Sequence, residues 1–342
     1  MMKRFAIGFA ALVVLAQPRL ATAKSSPQGA ILFARDNALW LVPADGSTEP
    51  ARAVALSRPA TDLVAITASA AGDVVLLDFG DQHAVAHIKP GTIVKPQPID
   101  CAGPAVLAVD GNCILCPAGD DHHGKVWLYL LGQSQRRILK WLGPNPVAFI
   151  GQRPPAVAVT GSRGLWRVDI QPFHRQLVAP HKPKSHLLIA PNGKRAVGQY
   201  EINGRTELVG FSLDGEAARR NLITGGVPVV WSADSRWLLV QHEKRACVVR
   251  AVGGEYKCWQ RYRAIALAPD GAFALVGRRA NDSDDGPMRL YVGELAGARP
   301  AKPHVLVDDA AGPAVWLPIT ATVPASPSGD GPGPSRPPAT GS

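Results

Sequence analysis

Residues Ile265–Arg278 read IALAPDGAFALVGR, which is an apolar run, a four-residue turn and a second apolar run. The same order occurs in HLLIAPNGKRAVGQ at His186–Gln199 and in VVWSADSRWLLVQH at Val229–His242. Proline fits the second position of a type I turn because its φ is already fixed, while Asp or Asn fits the corner and Gly the fourth position. Each unit therefore predicts two β-strands joined by a tight turn.

Weaker copies extend this repeat along most of the chain. Aligning the residue before each turn gives seven anchors: Ala68, Leu107, Phe149, Ile189, Trp231, Leu267 and Trp316. They lie 36 to 49 residues apart, and a period of about 40 to 45 with four short strands per unit is the signature of a β-propeller blade. The sequence predicts an all-β, seven-bladed β-propeller. Six blades is the alternative, because the copy that begins at Phe149 has a degraded turn.

The two ends of the repeat array complement one another. PAVWLP at Pro313–Pro318 resembles an innermost strand, but nothing strand-like follows it. Ala30–Arg35, Ala38–Val42 and Ala51–Leu56 supply a second, third and fourth strand without a first. We therefore expect the C-terminal strand to complete the first blade beside Ile31–Ala34, which closes the ring and removes the exposed edges of an open sheet.

The repeated pattern hydrophobic–(Ala/Ser)–(Pro/Ala)–(Asp/Asn)–(Gly/Ser) resembles the WD40-like PD40 repeats of the TolB-type propeller superfamily. The likeness covers nearly all of the chain after residue 23 and is sharpest in the three units quoted above. TolB carries an α/β domain before its propeller, and oligopeptidases carry a hydrolase domain, whereas neither is expected here. The resemblance therefore implies a free-standing propeller and carries over neither TolB's partners nor peptidase chemistry.

The two termini predict the compartment. Lys3 and Arg4 precede an apolar run of about 12 residues and a small-residue site, Ala21-Thr22-Ala23, an order typical of a secretory signal peptide and too short to span a bilayer comfortably. An uncleaved membrane anchor is the alternative. The last residues are rich in Pro, Gly and Ser and cannot bury enough apolar surface to become ordered. We expect a signal peptide at 1–23, a propeller at 24–320 and a disordered tail at 321–342.

The charge distribution predicts the kind of partner. The formal charge is +10, and the mature, monomeric chain is expected in the periplasm or outside the cell, without a membrane span. Arg236–Arg279 contains nine basic residues and three acidic ones. An exported protein with such a cluster is expected to meet an acidic protein or an anionic envelope polymer rather than nucleic acid. Basic residues scattered around a solvated rim are the alternative.

Strand order decides which loops can form a site. In a propeller, the loops between second and third strands lie on the same face as the crossings between blades. One such crossing carries Arg261, Tyr262 and Arg263, which are the weak candidates for binding. The main hypothesis is a binding or scaffolding module that uses this face. The alternative is an enzyme of the lyase, lactonase or hydrolase type with its site at the mouth of the central channel.

Support for catalysis or for a cofactor is thin. No Gly-x-Ser-x-Gly elbow occurs, and neither catalytic residues nor a cofactor is predicted. A third hypothesis, a sugar or polymer binder, requires exposed aromatic side chains such as Trp259 and Tyr262.

Two loops contain metal-ligand residue types. The first is the group Asp120, Asp121, His122 and His123. Four adjacent residues cannot all converge on one ion, so a solvated hairpin tip is favoured over a metal site. The second, Asn281–Gly286, resembles a calcium loop, but Val292 stands where a bidentate Glu belongs.

The five cysteines predict two disulfides in an exported protein. Cys247 and Cys258 are direct cross-strand partners if the hairpin turn is centred on residues 252 and 253. Cys113 and Cys116 lie on one predicted strand, so their side chains point to opposite faces. Cys101, in the crossing before the third blade, lies on the face of Cys116. We therefore pair Cys101 with Cys116 and leave Cys113 as a buried thiol.

Overall fold

A computed structural model describes residues 26–89, 91–117, 126–132, 135–139, 146–150, 156–161, 163–169, 173–179, 183–213, 220–254, 256–279, 287–295 and 300–318. The strands in this part of the chain form seven four-stranded antiparallel sheets, the blades of a β-propeller. The predicted seven-bladed fold is confirmed and the six-bladed alternative is wrong. No helix in these ranges is long and apolar enough to cross a membrane.

Each blade is a run of consecutive strands that lead outward from the central axis. Blade 1 contains β1 (Ala30–Arg35), β2 (Ala38–Pro43) and β3 (Ala51–Ala55). Blade 2 contains β4 (Ala65–Ala68), β5 (Val74–Asp78), β6 (His83–His87) and β7 (Gln97–Ile99). Blade 3 contains β8 (Val106–Leu107), β9 (Cys113–Pro117), β10 (Val126–Leu130) and β11 (Gln135–Leu139). Blade 4 contains β12 (Pro146–Ile150), β13 (Ala156–Gly161), β14 (Gly164–Asp169) and β15 (His174–Ala179).

The remaining blades follow the same plan. Blade 5 contains β16 (Ser185–Ile189), β17 (Arg195–Ile202), β18 (Arg205–Ser212) and β19 (Arg220–Thr224). Blade 6 contains β20 (Gly226–Trp231), β21 (Trp237–His242), β22 (Arg245–Arg250) and β23 (Tyr256–Gln260). Blade 7 contains β24 (Arg263–Leu267), β25 (Phe273–Arg279), β26 (Met288–Glu294) and β27 (His304–Ala310). The last strand is β28 (Ala314–Leu317).

The C-terminal strand closes the ring. β28 is the innermost strand of blade 1 and pairs antiparallel with β1, so that Ile31 lies opposite Trp316. The indole N–H of Trp316 donates to the carbonyl of Gln28 over 2.9 Å. The predicted completion of the first blade is therefore confirmed.

Five blades share one turn between their first and second strands. The fourth turn residue donates its backbone N–H to the carbonyl of the first residue over 2.8 to 2.9 Å. Its φ lies between 60° and 75°, a region that favours glycine. Four of the five residues at this position are glycines: Gly72, Gly111, Gly193, Ser235 and Gly271. At Gly271 a Cβ would also lie 2.6 Å from the Trp237 ring, so blade 7 packs closely against blade 6 here.

The hydrophobic core lies between neighbouring blades rather than at the centre of the ring. One cluster joins Ile31 and Phe33 of blade 1 to Leu275 and Leu290 of blade 7. Alternate residues along a strand face opposite sides of its sheet, so each blade contributes to two such clusters. This packing leaves the axis open as a channel.

In blades 2 and 6, the connection between the third and fourth strands covers the outer edge of the preceding blade. Val94 of blade 2 exchanges backbone hydrogen bonds with Ala53 and Ala55 beside β3, each 3.0 Å long. Arg220 of blade 5 donates to the carbonyl of Val252 in blade 6 over 3.0 Å. These contacts protect edge strands that would otherwise present unpaired backbone groups to solvent.

The structure contains both disulfides that the sequence predicts. Cys247 and Cys258 are direct partners in the register of β22 and β23, with Cα atoms 4.1 Å apart. Cys101 and Cys116 have Cα atoms 5.3 Å apart. The turn after Cys247 is longer than two residues, since the last β22–β23 pair is Val249 with Tyr256.

Cys113 is the free cysteine, and it is half-buried against the core between blades 3 and 4. Burial, with a smaller contribution from the Asp110 carboxylate, raises the pKa of its thiol to about 12. The thiolate is the reactive form of cysteine, so the raised pKa disfavours reaction of this thiol near neutral pH.

Candidate anion-binding face

The two faces of the propeller carry different connections. We call the side with the turns between first and second strands the turn face. The opposite side, with the loops between second and third strands and the crossings from blade to blade, is the crossing face. Of the nine basic residues in Arg236–Arg279, strand order places six on the crossing face of blades 6 and 7: Lys244, Arg245, Arg261, Arg263, Arg278 and Arg279. The predicted cluster is therefore concentrated on one face.

The crossing from blade 6 to blade 7 is held in place by the Gln241 side chain. Its Oε1 accepts the backbone N–H of Ala264 over 2.7 Å. Its Nε2 donates to the carbonyl of Glu243 over 2.7 Å and approaches that of Tyr262 at 3.5 Å. Arg261 takes the left-handed conformation, with φ of 63°. The backbone that carries Arg261 and Arg263 is therefore tied to the end of β21.

Blade 7 brings two more arginines to this crossing. Arg278 at the end of β25 lies directly opposite Arg289 at the start of β26, and Val276 opposite Tyr291 follows in the same register. The Tyr291 ring packs edge-on against that of Tyr262, with centroids 5.2 Å apart. Arg278, Arg289 and Tyr291 therefore share the side of the blade 7 sheet that faces the crossing. Arg289 was absent from the sequence-based candidates because only this register places it here.

We call Arg261, Tyr262, Arg263, Arg278 and Arg289 the basic crossing. Arg289 is neutralised in part by Asp308, with Nε and Oδ1 2.8 Å apart. Within the described ranges, Arg261 and Arg278 form no ion pair, although both are exposed. Like charges directly opposite each other destabilise a sheet, so the described contacts give Arg278 no stabilising partner.

Arg245 borders the basic crossing at the start of β22. Its guanidinium lies 3.4 Å from the Glu243 carboxylate and 2.5 Å from Nδ1 of His242. Glu243 is the only carboxylate in the described part of the blade 6 loop between second and third strands. In the described residues, basic side chains therefore outnumber acidic ones at this end of blade 6.

Trp259 is not available to stack on a sugar. Only 4% of its surface is exposed, and its indole N–H donates to the carbonyl of Ala301 over 2.9 Å. Tyr262 is half-buried against Tyr291. The sugar-binding hypothesis required exposed aromatic side chains such as these two, and Trp259 is buried.

The two metal-ligand loops lie outside the described residues. They comprise Asp120, Asp121, His122 and His123, and Asn281–Gly286. In the part of the chain that is described, no three His, Cys, Asp or Glu side chains come together closely enough to hold a metal ion.

The central channel has a volume of about 1300 Å³ and is lined by the innermost strands of all seven blades. Most of the described lining side chains are aliphatic. The exceptions include five polar residues: Thr67, Ser69, Asp110, Asn112 and Asn192. Each innermost strand is paired on one side only, so unpaired backbone groups also border the channel. With Asp110 as the single charged residue in this described lining, the wall offers no pair of ionisable side chains for acid–base chemistry.

Solved structures share the fold of this chain at low sequence identity. A functionally unknown protein from Desulfotomaculum acetoxidans aligns with a TM-score of 0.52 and 13% identity, over 84% of this chain and 99% of that one. A chain of a mitotic checkpoint complex aligns with a TM-score of 0.50 and 10% identity, over 91% of each chain. TolB from Acinetobacter baumannii gives 0.47 and 11%, over 84% and 82%. No family model and no curated protein matches the chain. The shared feature is the propeller fold.

Proposed function

We propose that this protein is an exported binding module that recognises an anionic partner, an acidic protein or an anionic envelope polymer, through the basic crossing. The observation that carries this proposal is the pair Arg278 and Arg289, two like charges held directly opposite each other. A fold that needed only stability would not retain this arrangement, because it costs stability in the free protein. An anion bound between the side chains turns the repulsion into attraction.

The residue type also supports anion recognition. Arginine presents a planar fork of five N–H donors and forms bidentate pairs with carboxylate or phosphate. All four cations of the basic crossing are arginines. Their position on an exposed face lets them steer a charged partner during encounter.

Export and domain organisation form part of the same proposal. We place a signal peptide at 1–23, the propeller at 24–320 and a disordered tail at 321–342, in a PD40-type propeller that acts as a monomer. The two disulfides support an oxidising compartment. The five equivalent turns with a left-handed fourth residue support the PD40 resemblance.

Binding of two anionic probes to the mature protein, residues 24–342, tests the function. The probes are fluorescent polyglutamate and fluorescent polyphosphate of equal total charge, followed by anisotropy at low salt. The variant is Arg261→Ala/Arg263→Ala/Arg278→Ala. The matched control removes the same charge elsewhere, in Arg52→Ala/Lys194→Ala/Lys302→Ala, whose three residues are exposed on the outer rim or near the turn face.

We expect at least one probe to bind the wild-type protein and the control variant with similar affinity. The triple arginine variant should bind at least about tenfold more weakly, since each lost contact is a charge-assisted hydrogen bond. Failure of both probes to bind, or equal losses in the two variants, would show that the basic crossing is not the anion site.

A further inference from the structure

We propose that a cavity at the outer edge of blade 2 binds a small organic phosphate, with the phosphate group held by two lysines and the apolar part packed on valine side chains. The cavity has a volume of about 320 Å³, which is at the lower end of the range for small-molecule sites, about 300–1,000 Å³. It shares no residue with the basic crossing, so the inference goes beyond the proposed function and stands without it. The residues that line it belong to β6, β7 and their connection: Val85, His87, Lys89, Val94, Lys95 and Gln97.

The cavity exists because β6 and β7 separate. They pair over only three residues of each strand, and the last pair toward the turn face is Val85 with Gln97. Beyond this pair the β6 chain stays beside β5, since the N–H of Ile88 donates to the carbonyl of Asp73 over 2.7 Å. Val94 instead pairs with the outer strand of blade 1. The two segments are held by different neighbours, which leaves a gap between them.

The wall of this cavity carries positive charge and hydrogen-bond donors. The described lining contains the ammonium groups of Lys89 and Lys95, and it contains no acidic side chain. The imidazole of His87 and the amide of Gln97 add polar groups. Both lysines are exposed, and within the described residues neither forms an ion pair. Their charge is therefore available to a bound anion.

Strand geometry adds a backbone donor at His87. Along an antiparallel strand, the backbone groups of successive residues point to opposite edges. The N–H of Ile88 points toward β5, so the N–H of His87 points to the outer edge of β6. There the described residues place no strand opposite His87, because the β6–β7 ladder ends at Val85 with Gln97. A backbone N–H that no strand pairs can donate to an anionic oxygen.

This donor set fits a phosphate better than a carboxylate. A phosphate monoester carries a charge of about −1.5 to −2 at neutral pH and three acceptor oxygens, whereas a carboxylate carries one charge and two oxygens. Two ammonium groups balance the charge of the phosphate, and each presents three N–H donors. Lysine binds phosphate as a point charge, so the interaction does not require the fork geometry of arginine.

Two valines give the site an apolar part. Val85 is buried and belongs to the core between blades 2 and 3, while Val94 packs against the core between blades 1 and 2. Both also line the cavity, so apolar surface lies beside the cations. The apolar part of an organic phosphate can cover this surface and remove it from water, which favours binding. Inorganic phosphate cannot.

Calorimetric titration of the mature protein, residues 24–342, with phenyl phosphate tests the proposal. Inorganic phosphate, benzoate and benzyl alcohol are the comparison probes, because each lacks one part of the proposed ligand. Phenyl phosphate should bind at least about tenfold more tightly than inorganic phosphate, which lacks the ring. It should also bind at least about tenfold more tightly than benzoate, which carries less charge. Benzyl alcohol has no anionic group and should bind at least about 100-fold more weakly than phenyl phosphate.

Substitution of the two lysines locates the site. Lys89→Met/Lys95→Met removes both charges and keeps the apolar stems. It should weaken phenyl phosphate binding by at least about tenfold, since two charge-assisted contacts are lost. The matched control, Lys194→Met/Lys302→Met, removes two exposed lysines from blades 5 and 7. It should change the affinity by less than about twofold, because charges at that distance are screened by salt.

A second control separates this site from the basic crossing. Arg261→Ala/Arg263→Ala/Arg278→Ala should change the affinity for phenyl phosphate by less than about twofold, since its substitutions lie on blades 6 and 7.

The contrary results are specific. Equal affinity for phenyl phosphate and benzoate, or for phenyl phosphate and inorganic phosphate, would overturn the assignment of an organic phosphate. No binding of phenyl phosphate, or equal losses in the lysine variant and its control, would overturn the site itself. A loss confined to the triple arginine variant would place the ligand at the basic crossing, which would overturn this inference and support the proposed function.

Discussion

On the crossing face, blade 2 and the basic crossing use arginine in opposite ways. Arg58, between blades 1 and 2, lies 2.7 Å from the Asp81 carboxylate and 3.6 Å from that of Asp62. Its hydrogen bond holds the pKa of Asp81 below the usual range. Arg278 instead lies opposite another arginine. The first arrangement pairs its charges within the fold, whereas Arg278 forms no ion pair in the described part of the chain. Charge density alone therefore does not distinguish the two arrangements.

The largest expected difference between these two regions is in binding. Arg263→Glu/Arg278→Glu should weaken polyphosphate binding at least about 100-fold, because it removes two charge-assisted contacts of about 1.5–3 kcal/mol each and adds repulsion. Arg58→Glu, on the same face, should change it less than about twofold. Anisotropy at constant salt measures both. A comparable loss in Arg58→Glu would show that the whole face, rather than the basic crossing, determines affinity.

Salt dependence should sharpen the contrast. Arginine contacts to polyphosphate predict a negative slope of log K against log salt. Arg278→Ala should reduce the size of this slope by about one, whereas Arg58→Ala should leave it unchanged. Titrations at several salt concentrations give the slopes. An unaltered slope in Arg278→Ala would place the contacts elsewhere.

For stability we expect the opposite of the binding result: the arginine of blade 2 should matter more than that of the basic crossing. Arg58→Ala should lower Tm because it leaves the Asp62 and Asp81 carboxylates without their partner. Arg278→Ala should leave stability unchanged or raise it by a few tenths of a kcal/mol, because it removes a directly opposed like charge. Thermal unfolding followed by circular dichroism compares the variants. A clear fall in Tm for Arg278→Ala would show that this arginine supports the fold.

The smallest effect should be a change in the Tm difference between wild type and Arg58→Ala at acidic pH. Because hydrogen bonding from Arg58 lowers the pKa of Asp81 in the folded state, the unfolded state binds this proton more readily. The stabilisation is complete above the unfolded-state pKa of about 3.9 and is lost as pH falls through the lower folded-state pKa. The Tm difference between wild type and Arg58→Ala should therefore be full at pH 6 and shrink below about pH 4. A difference that stayed constant down to pH 2 would contradict the role of Asp81.

The repeat and the residue alternation within strands account for what the sequence could predict. Period and strand count led to seven blades, and the unmatched PAVWLP segment led to the closing strand. The alternation rule also paired Cys101 with Cys116, and the position of the hairpin turn paired Cys247 with Cys258. Most of these features follow from residue patterns within one blade. The exception is the pairing of β1 with β28, which follows because each of the two ends of the repeat array lacks what the other supplies.

The candidate site was predicted only in part. Arg261, Tyr262 and Arg263 were visible as a charged crossing, but the register of β25 and β26 is needed to bring Arg278 and Arg289 together. The sugar-binding hypothesis relied in part on Trp259, which is buried and donates its indole N–H to the carbonyl of Ala301, 42 residues away. Both outcomes depend on contacts between separate strands, which a single sequence does not display.

The closing strand has a consequence for the order of assembly. β1 pairs with β28, so blade 1 cannot acquire its innermost strand until residue 317 has been synthesised. Until then six complete blades can form, but blade 1 lacks the strand whose Ala314 and Trp316 pack against blade 7. The ring is therefore completed only by a chain that includes β28. A product that ends before Ala314 would keep an open seam that a protease could enter.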